Sequence, residues 1–185
     1  IGRAALSKFG SPIAAFAETT KFQPNTCSAG YPHGILEQYL KGDSLEEFQA
    51  KAKTVCDAPP GSAAGTSANR WQCYHGVGHA VMIETNYNLF DSLSVCDVLS
   101  DPSDQNGCGY GIFMENTLAG HFRSDRLSPW VKPTEPFYPC EVVPSAYQDP
   151  CYQWAPAFLF RFTTKGAKEA MAFCMELAKE TNRIS

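Results

Sequence analysis

Hydrophobic residues recur at intervals of three and four along much of the chain, which is the spacing of one face of an α-helix. One such pattern follows Ser44-Leu45-Glu46-Glu47, a sequence with the form of a capping box at a helix start. The same pattern occupies residues 167–177, and a shorter form of it occupies residues 89–96. The periodicity therefore predicts an all-α fold.

Proline and glycine mark the boundaries between the predicted helices. Residues 1–10 and 11–21 predict a helix pair, the second with N-cap Ser11 and Pro12 at its first position. Residues 128–144 contain five prolines, which cannot lie inside a helix, so this segment is predicted to be an extended aromatic loop. Residues 57–70 predict a second, flexible loop because small and polar residues dominate them.

A degenerate internal repeat organises the chain. Four segments each begin with a cysteine, followed by a stretch of small and apolar residues about one helix long: 27–40, 73–82, 108–118 and 151–160. A second cysteine follows in each unit: Cys56, Cys96, Cys140 and Cys174. Each unit predicts a helix hairpin, and the chain predicts one helical-repeat domain, an array or compact bundle of four to five disulfide-stapled hairpins. Its units are approximately 1–26, 27–60, 71–100, 107–143 and 144–185.

The chain has eight cysteines and no Cys-x-x-Cys pair, which favours disulfides over zinc ribbons and iron–sulfur clusters. Disulfides persist mainly in oxidising compartments. The chain begins at Ile1 without a methionine, as a processed chain would. We therefore expect an extracytoplasmic location, whether secreted, periplasmic or in an organelle lumen.

Two pairing schemes are compatible with the repeat, among the 105 complete pairings that eight cysteines allow. The preferred one staples each hairpin by joining the two cysteines of a unit: Cys27–Cys56, Cys73–Cys96, Cys108–Cys140 and Cys151–Cys174. The alternative joins neighbouring units through Cys56–Cys73, Cys96–Cys108 and Cys140–Cys151, and leaves Cys27 and Cys174 over. Parsimony alone favours the first scheme, because it uses every thiol.

The histidines suggest a metal site. His75 and His79 are four residues apart, so they share one helix face, and His33 and Glu37 have the same spacing in the preceding unit. Three imidazoles and a carboxylate would suit zinc, copper or iron. Glu115 is predicted to lie roughly 100° away from the corresponding face of the third unit.

Other roles for these residues remain open. Glycine follows His33 and His75, and such glycines often mark close helix–helix approach, so the histidines could be packing residues that donate a hydrogen bond to a neighbouring carbonyl. A metalloenzyme could use the same four residues with one open coordination position. No residue is assigned a catalytic role, and His121, alone in sequence, is predicted to be a solvent-exposed residue.

Charge and hydropathy exclude two classes of function. The net charge is −4 and no basic stripe is present, which argues against nucleic-acid binding. The longest apolar run, residues 154–160, is far shorter than the roughly 20 residues that span a bilayer. The proline-rich loop carries Trp130, Phe137 and Tyr138, which predict either a docking surface for a protein partner or a lid on the core.

The segments CYHGVGHA, GYPHGILE and CGYGIFMEN resemble those of cysteine-rich helical-repeat proteins with Cys/His-Gly motifs. The stapled hairpins are also similar in architecture to Sel1 and TPR repeats. This resemblance implies a surface for protein partners and brings no catalytic residues. Our leading hypothesis is a disulfide-stabilised binding or structural protein that holds a transition metal. The alternative is a metal-free accessory subunit of a larger, membrane-associated assembly.

Overall fold

The chain is all-α in a computed structural model. The structure describes residues 2–18, 30–42, 44–57, 67–122, 128–132, 134–135 and 137–162, with single positions between 168 and 179. These residues contain no strand, and their eight helices are α1 (Gly2–Phe9), α2 (Pro12–Ala17), α3 (Gly30–Tyr39), α4 (Leu45–Ala52), α5 (Ser67–Glu84), α6 (Leu89–Cys96), α7 (Pro102–Phe122) and α8 (Gln148–Phe162). The chain forms two compact units, residues 1–115 and 116–185.

The predicted helix starts are confirmed. Ser44 begins α4 with a complete capping box, in which its Oγ accepts from the Glu47 amide and Glu47 Oε2 accepts from the Ser44 amide at 2.7 Å. Ser11 caps α2 by accepting from the Ala14 amide at 3.2 Å, with Pro12 at the first helical position. Local sequence alone therefore determines where these two helices begin.

The predicted starts of the cysteine-bearing helices are wrong. α5 begins at Ser67 and therefore includes residues 67–70, which composition had assigned to the preceding loop. Cys73, Cys108 and Cys151 lie inside their helices rather than ahead of them. The helices extend toward the N-terminus because tertiary packing outweighs the weak helix propensity of these polar and glycine-containing turns.

The helices of residues 1–115 pack in two rows. In one row α1 packs on α3 and α3 packs on α5, while α2 contacts both α1 and α3. In the other row α4 packs on α6, which also contacts α5. The core of this unit consists of large, fully buried side chains: Ile35, Leu36, Leu40, Tyr74, Val77, Val81, Met82, Leu89, Val95, Ile112 and Phe113.

α5 and α7 approach each other at main-chain distance. A Cβ atom on Gly111 would overlap the carbonyl oxygen of His75, so no larger residue fits there without a shift of the backbone. This contact adds α7 to the row formed by α1, α3 and α5. Glycine at this position therefore has a packing role that outweighs its cost within a helix, about 1 kcal/mol relative to alanine.

The disulfides join neighbouring units, so the preferred within-unit scheme is wrong. Within the described residues the pairs are Cys56–Cys73, Cys96–Cys108 and Cys140–Cys151, with Cα separations of 5.8, 5.7 and 5.4 Å. These separations fall within the range of about 4.4–6.8 Å that a disulfide spans. Cys27 and Cys174 lie outside the described residues, but their preferred partners, Cys56 and Cys151, are already paired.

Chain connectivity explains this choice. Two disulfides join the end of one helical segment to the early turns of the next helix, and Cys140–Cys151 joins the proline-rich segment to the first turn of α8. The separations are only 17, 12 and 11 residues. In an antiparallel succession of helices, the cysteine of the same unit and that of the next unit lie at the same end. Proximity at one end of the helices therefore allows pairing with the next unit as well as pairing within a unit. Pairing with the next unit closes the shorter loop, which costs less entropy.

Residues 116–185 form the second unit. The proline-rich segment is non-helical where it is described, as predicted, and Cys140 ties it to α8. The buried hydroxyl of Ser128 hydrogen-bonds to the side chain of Asn116 and also accepts from the Trp130 amide. The predicted helix over 167–177 lies largely outside the described residues.

Across the described helices, none combines the length and the hydropathy that crossing a bilayer requires.

Candidate functional site

Three histidines meet between α3 and α5. His75 and His79 stand one turn apart on α5, with ring centroids separated by 5.0 Å. The His33 ring, on α3, lies 4.8 Å from that of His79 and 5.3 Å from that of His75. The structure thus brings together the three histidines that the sequence singled out.

The ring nitrogens of the two α5 histidines face each other. Nε2 of His75 and Nε2 of His79 are 3.2 Å apart, and Nδ1 of His79 lies 2.9 Å from Oε2 of Glu115 on α7. Both histidines are buried, each only 7% exposed. A continuous polar chain therefore crosses the apolar interior from α7 to α5.

The same carboxylate has a second partner. Oε1 of Glu115 accepts a hydrogen bond from the hydroxyl of Tyr87 at 2.8 Å. Tyr87 and Asn86 both have positive φ angles, +62° and +53°, which are rare for residues other than glycine. The turn after α5 is thus held in an unfavourable conformation that presents the Tyr87 hydroxyl to Glu115.

Aromatic rings surround His75, and a glycine makes room for His33. The rings of Trp71 and Tyr110 lie 5.3 and 5.5 Å from His75, both edge-on. A Cβ atom on Gly76 would lie 2.9 Å from Cδ2 of His33, so glycine lets α3 approach α5 at the level of the histidines. The close approach that His-Gly predicted is present at this position.

Burial keeps two of the imidazoles neutral. Desolvation, together with the positive charge that His79 would carry, lowers the pKa of His33 to about 4. Desolvation followed by repulsion from His79 and His33 lowers the pKa of His75 to about 3. At neutral pH both residues therefore carry a free nitrogen lone pair, the form in which imidazole binds metals.

His75 also carries an unsatisfied atom. Its Nδ1 is buried, and no hydrogen-bond partner for it exists among the described residues. Buried polar atoms of this kind are uncommon, because leaving one unpaired costs about 1–3 kcal/mol.

The predicted fourth ligand lies elsewhere. Glu37 accepts hydrogen bonds from Arg3, at 2.6 Å from Nη2 and 3.2 Å from Nε. The carboxylate that does reach a histidine is Glu115. The repeat alignment placed it off the face equivalent to that of the histidines, and the sequence therefore did not include it in the site. Tyr87 gave no sequence signal, because its contribution depends on a turn conformation that the sequence did not predict.

The three histidines lie close together without the geometry of a metal site. Nowhere in the described part of the chain do three or more His, Cys, Asp or Glu side chains adopt the arrangement of a finished metal site. The nearest approach to one is the facing Nε2 pair of His75 and His79, with His33 beside it. This arrangement can offer two nitrogen lone pairs to one cation after small side-chain movements.

The predicted interface residues pack on their own unit. The rings of Trp130 and Tyr138 are nearly parallel, with centroids 6.2 Å apart, and Lys132 Nζ lies 3.8 Å from the centre of the Tyr138 ring. Phe137 packs edge-on against Tyr152 of α8. All three predicted residues are half-buried, so each keeps part of its surface open to solvent.

Comparison of the chain with protein-family models, with curated proteins and with solved structures gave no match.

Proposed function

We propose that this protein is a disulfide-stabilised helical-repeat protein of an oxidising, extracytoplasmic compartment, and that it binds a transition metal through His75, His79 and His33. The observation that carries the proposal is the 3.2 Å separation of the facing Nε2 atoms, together with the carboxylate on the other nitrogen of His79. Zinc, copper and iron are the candidate ions, since imidazole suits each of them.

The distance between the Nε2 atoms of His75 and His79 matches the distance between two ligand atoms of one metal ion. With metal–nitrogen bonds of about 2.0–2.1 Å, two ligands of a tetrahedral zinc ion lie about 3.3–3.4 Å apart. The observed separation of 3.2 Å is close to this value. His33, whose ring lies 4.8 Å from that of His79, is the nearest candidate for a third ligand.

Burial favours a structural metal over a catalytic one. Catalytic zinc sites keep a position open to substrate, whereas structural sites are closed. His75 and His79 are buried beneath α3 and α7, which argues for an ion that holds these helices together. The same burial argues against the metalloenzyme hypothesis.

The disulfides support the proposed compartment. Six of the eight cysteines are oxidised in pairs, which is typical of chains from the periplasm, a secretory lumen or the cell exterior. Cysteines in disulfides offer no thiolate to a metal, so imidazole nitrogen is the main type of ligand in the proposed site. The row of α1, α3 and α5 supports the proposed similarity to cysteine-rich, Sel1-like and TPR-like repeats.

Zinc binding to the disulfide-intact protein tests the metal proposal. After chelator treatment and its removal, titration against a chromophoric zinc competitor should show one equivalent bound, and H75A and H79A should each lose at least tenfold in affinity. H121A is the matched control, because the proposal does not use that histidine. Circular dichroism checks that the variants fold, and wild-type protein that binds no zinc, copper or iron would refute the proposal.

A docking role for the aromatic loop is the second candidate. It is favoured by the half-buried stack of Trp130 and Tyr138, since aromatic rings of this kind commonly anchor interfaces. The partner would be another subunit of a peripheral membrane assembly. Loss of stoichiometric co-purification in W130A but not in V142A, which removes an exposed apolar side chain nearby, would support this role.

A further inference from the structure

We infer that Glu115, braced by Tyr87, fixes the tautomer of His79 and thereby directs its Nε2 lone pair toward His75. The inference rests on the proposed function, because it assigns Glu115 and Tyr87 as positioning residues for a metal ligand. Neither residue belongs to the ligand set that the sequence predicted.

The argument begins with the carboxylate. An ionised carboxylate can only accept hydrogen bonds, so the 2.9 Å contact with Glu115 requires a proton on Nδ1 of His79. When His79 is neutral it carries one N–H, so its Nε2 is then an acceptor. The tautomer of His79 is thus determined by its partner on α7.

The direction of the remaining hydrogen bond follows. With a neutral His79, whose Nε2 accepts, Nε2 of His75, 3.2 Å away, is the donor in the metal-free protein. Nδ1 of His75 is then a bare acceptor at the end of the chain, where the described structure supplies no partner for it. In this series of hydrogen bonds, the N–H groups of His75 and His79 and the O–H group of Tyr87 all donate in the direction of Glu115.

Tyr87 keeps the carboxylate in place. Its hydroxyl donates to Oε1 while Oε2 faces His79, so the two oxygens of Glu115 have different partners. The left-handed conformation of Asn86 and Tyr87 delivers this hydroxyl from the turn after α5. A carboxylate held on both sides loses the rotational freedom that would otherwise weaken its contact with His79.

This arrangement is that of a carboxylate–histidine–metal unit. A metal-binding histidine usually donates its other ring N–H to a carboxylate or carbonyl, which orients the ring and makes the ligating nitrogen more basic. Removing such a partner typically costs about 10–100-fold in metal affinity. His79 is therefore the oriented ligand of the pair, and His75 is the one whose proton must move to Nδ1 when a metal binds.

Nitrogen-15 NMR of the metal-free protein tests the inference directly, because two-bond couplings distinguish the tautomers of each ring. We expect a proton on Nδ1 of His79 and on Nε2 of His75. In E115Q the amide can donate to Nδ1, so the His79 proton should move to Nε2 or divide between the nitrogens. E37Q is the matched control, and it should leave both tautomers unchanged.

Zinc affinity provides the second measurement. It should fall by about 10–100-fold in E115Q, by less in Y87F, which keeps the carboxylate, and not at all in E37Q. A His79 proton on Nε2 in the wild type, or unchanged tautomer and affinity in E115Q, would overturn the inference. If the expected tautomers are found in protein that binds no metal, the proposed function fails while the role of Glu115 toward His79 stands.

Discussion

Gly111 of α7 lies against the main-chain carbonyl of His75 on α5, and this contact determines how the two helices meet. One turn further along each helix, the side chain of Glu115 faces that of His79. Gly111 and Glu115 therefore lie on the face of α7 that meets the two α5 histidines. The repeat alignment placed Glu115 one residue beyond the position equivalent to His79, but it did not indicate that this face of α7 packs on α5.

Enlarging this glycine should destabilise the protein. We expect G111A to lower the free energy of unfolding by about 1–3 kcal/mol, because the added methyl group must push α7 away from α5. Urea denaturation of the disulfide-intact protein measures the change. G30A is the control: a Cβ atom there meets nothing within 4 Å, so its stability should be unchanged or rise by up to about 1 kcal/mol. Equal effects of the two substitutions would contradict the packing argument.

Peptide mapping under non-reducing conditions should recover Cys56–Cys73, Cys96–Cys108 and Cys140–Cys151. A linked peptide containing Cys73 and Cys96 would contradict this pairing. Replacing Cys96 and Cys108 together by serine should lower the free energy of unfolding by about 2–4 kcal/mol, since the unfolded chain gains the freedom of an opened loop.

Acid should destabilise the metal-free protein in a defined pH window. The pKa values of His33 and His75 fall from 6.5 to about 4 and about 3 on folding, so below pH 6.5 the unfolded chain binds more protons than the folded one. Stability contributed by the neutral imidazoles is therefore complete above pH 6.5 and is lost progressively toward pH 3. Urea unfolding should show a loss of about 1–2 kcal/mol per histidine between pH 7 and pH 5.

The variant H33N removes one of these titrating groups and should flatten the dependence between pH 7 and pH 5. Carboxylates titrate mainly below this interval, so they contribute little to the slope there. A free energy of unfolding that stays constant over the interval would contradict the assignment of neutral, buried histidines.

Zinc should stabilise the folded state. An ion that binds the native chain alone raises the free energy of unfolding by about 2.7 kcal/mol at a free concentration 100 times its Kd. Thermal denaturation with and without zinc should show this shift, and a chelator should reverse it. In H79Q, which keeps a polar side chain of similar reach, the shift should disappear; a shift of equal size there would place the bound zinc elsewhere.

Much of the helical architecture was predictable because its signals are local. Ser11 and Ser44 place helix starts through contacts with residues three positions away, and proline excludes helix from the segment around Cys140. The pairing of His75 with His79 was predictable for the same reason, as their spacing equals one helical turn. The convergence of His33 on this pair required only that neighbouring units pack in order.

The sequence by itself determined the helices, the shared face of the α5 histidines and the presence of disulfides, because each depends on short-range spacing or on composition. Tertiary structure decided which cysteines pair and which carboxylate meets His79. Both choices depend on how one helix is placed against the next along its axis. Neighbouring residues on a helix point about 100° apart, so the partner of His79 depends on which face of α7 meets α5, and Gly111 against the backbone of His75 marks that face.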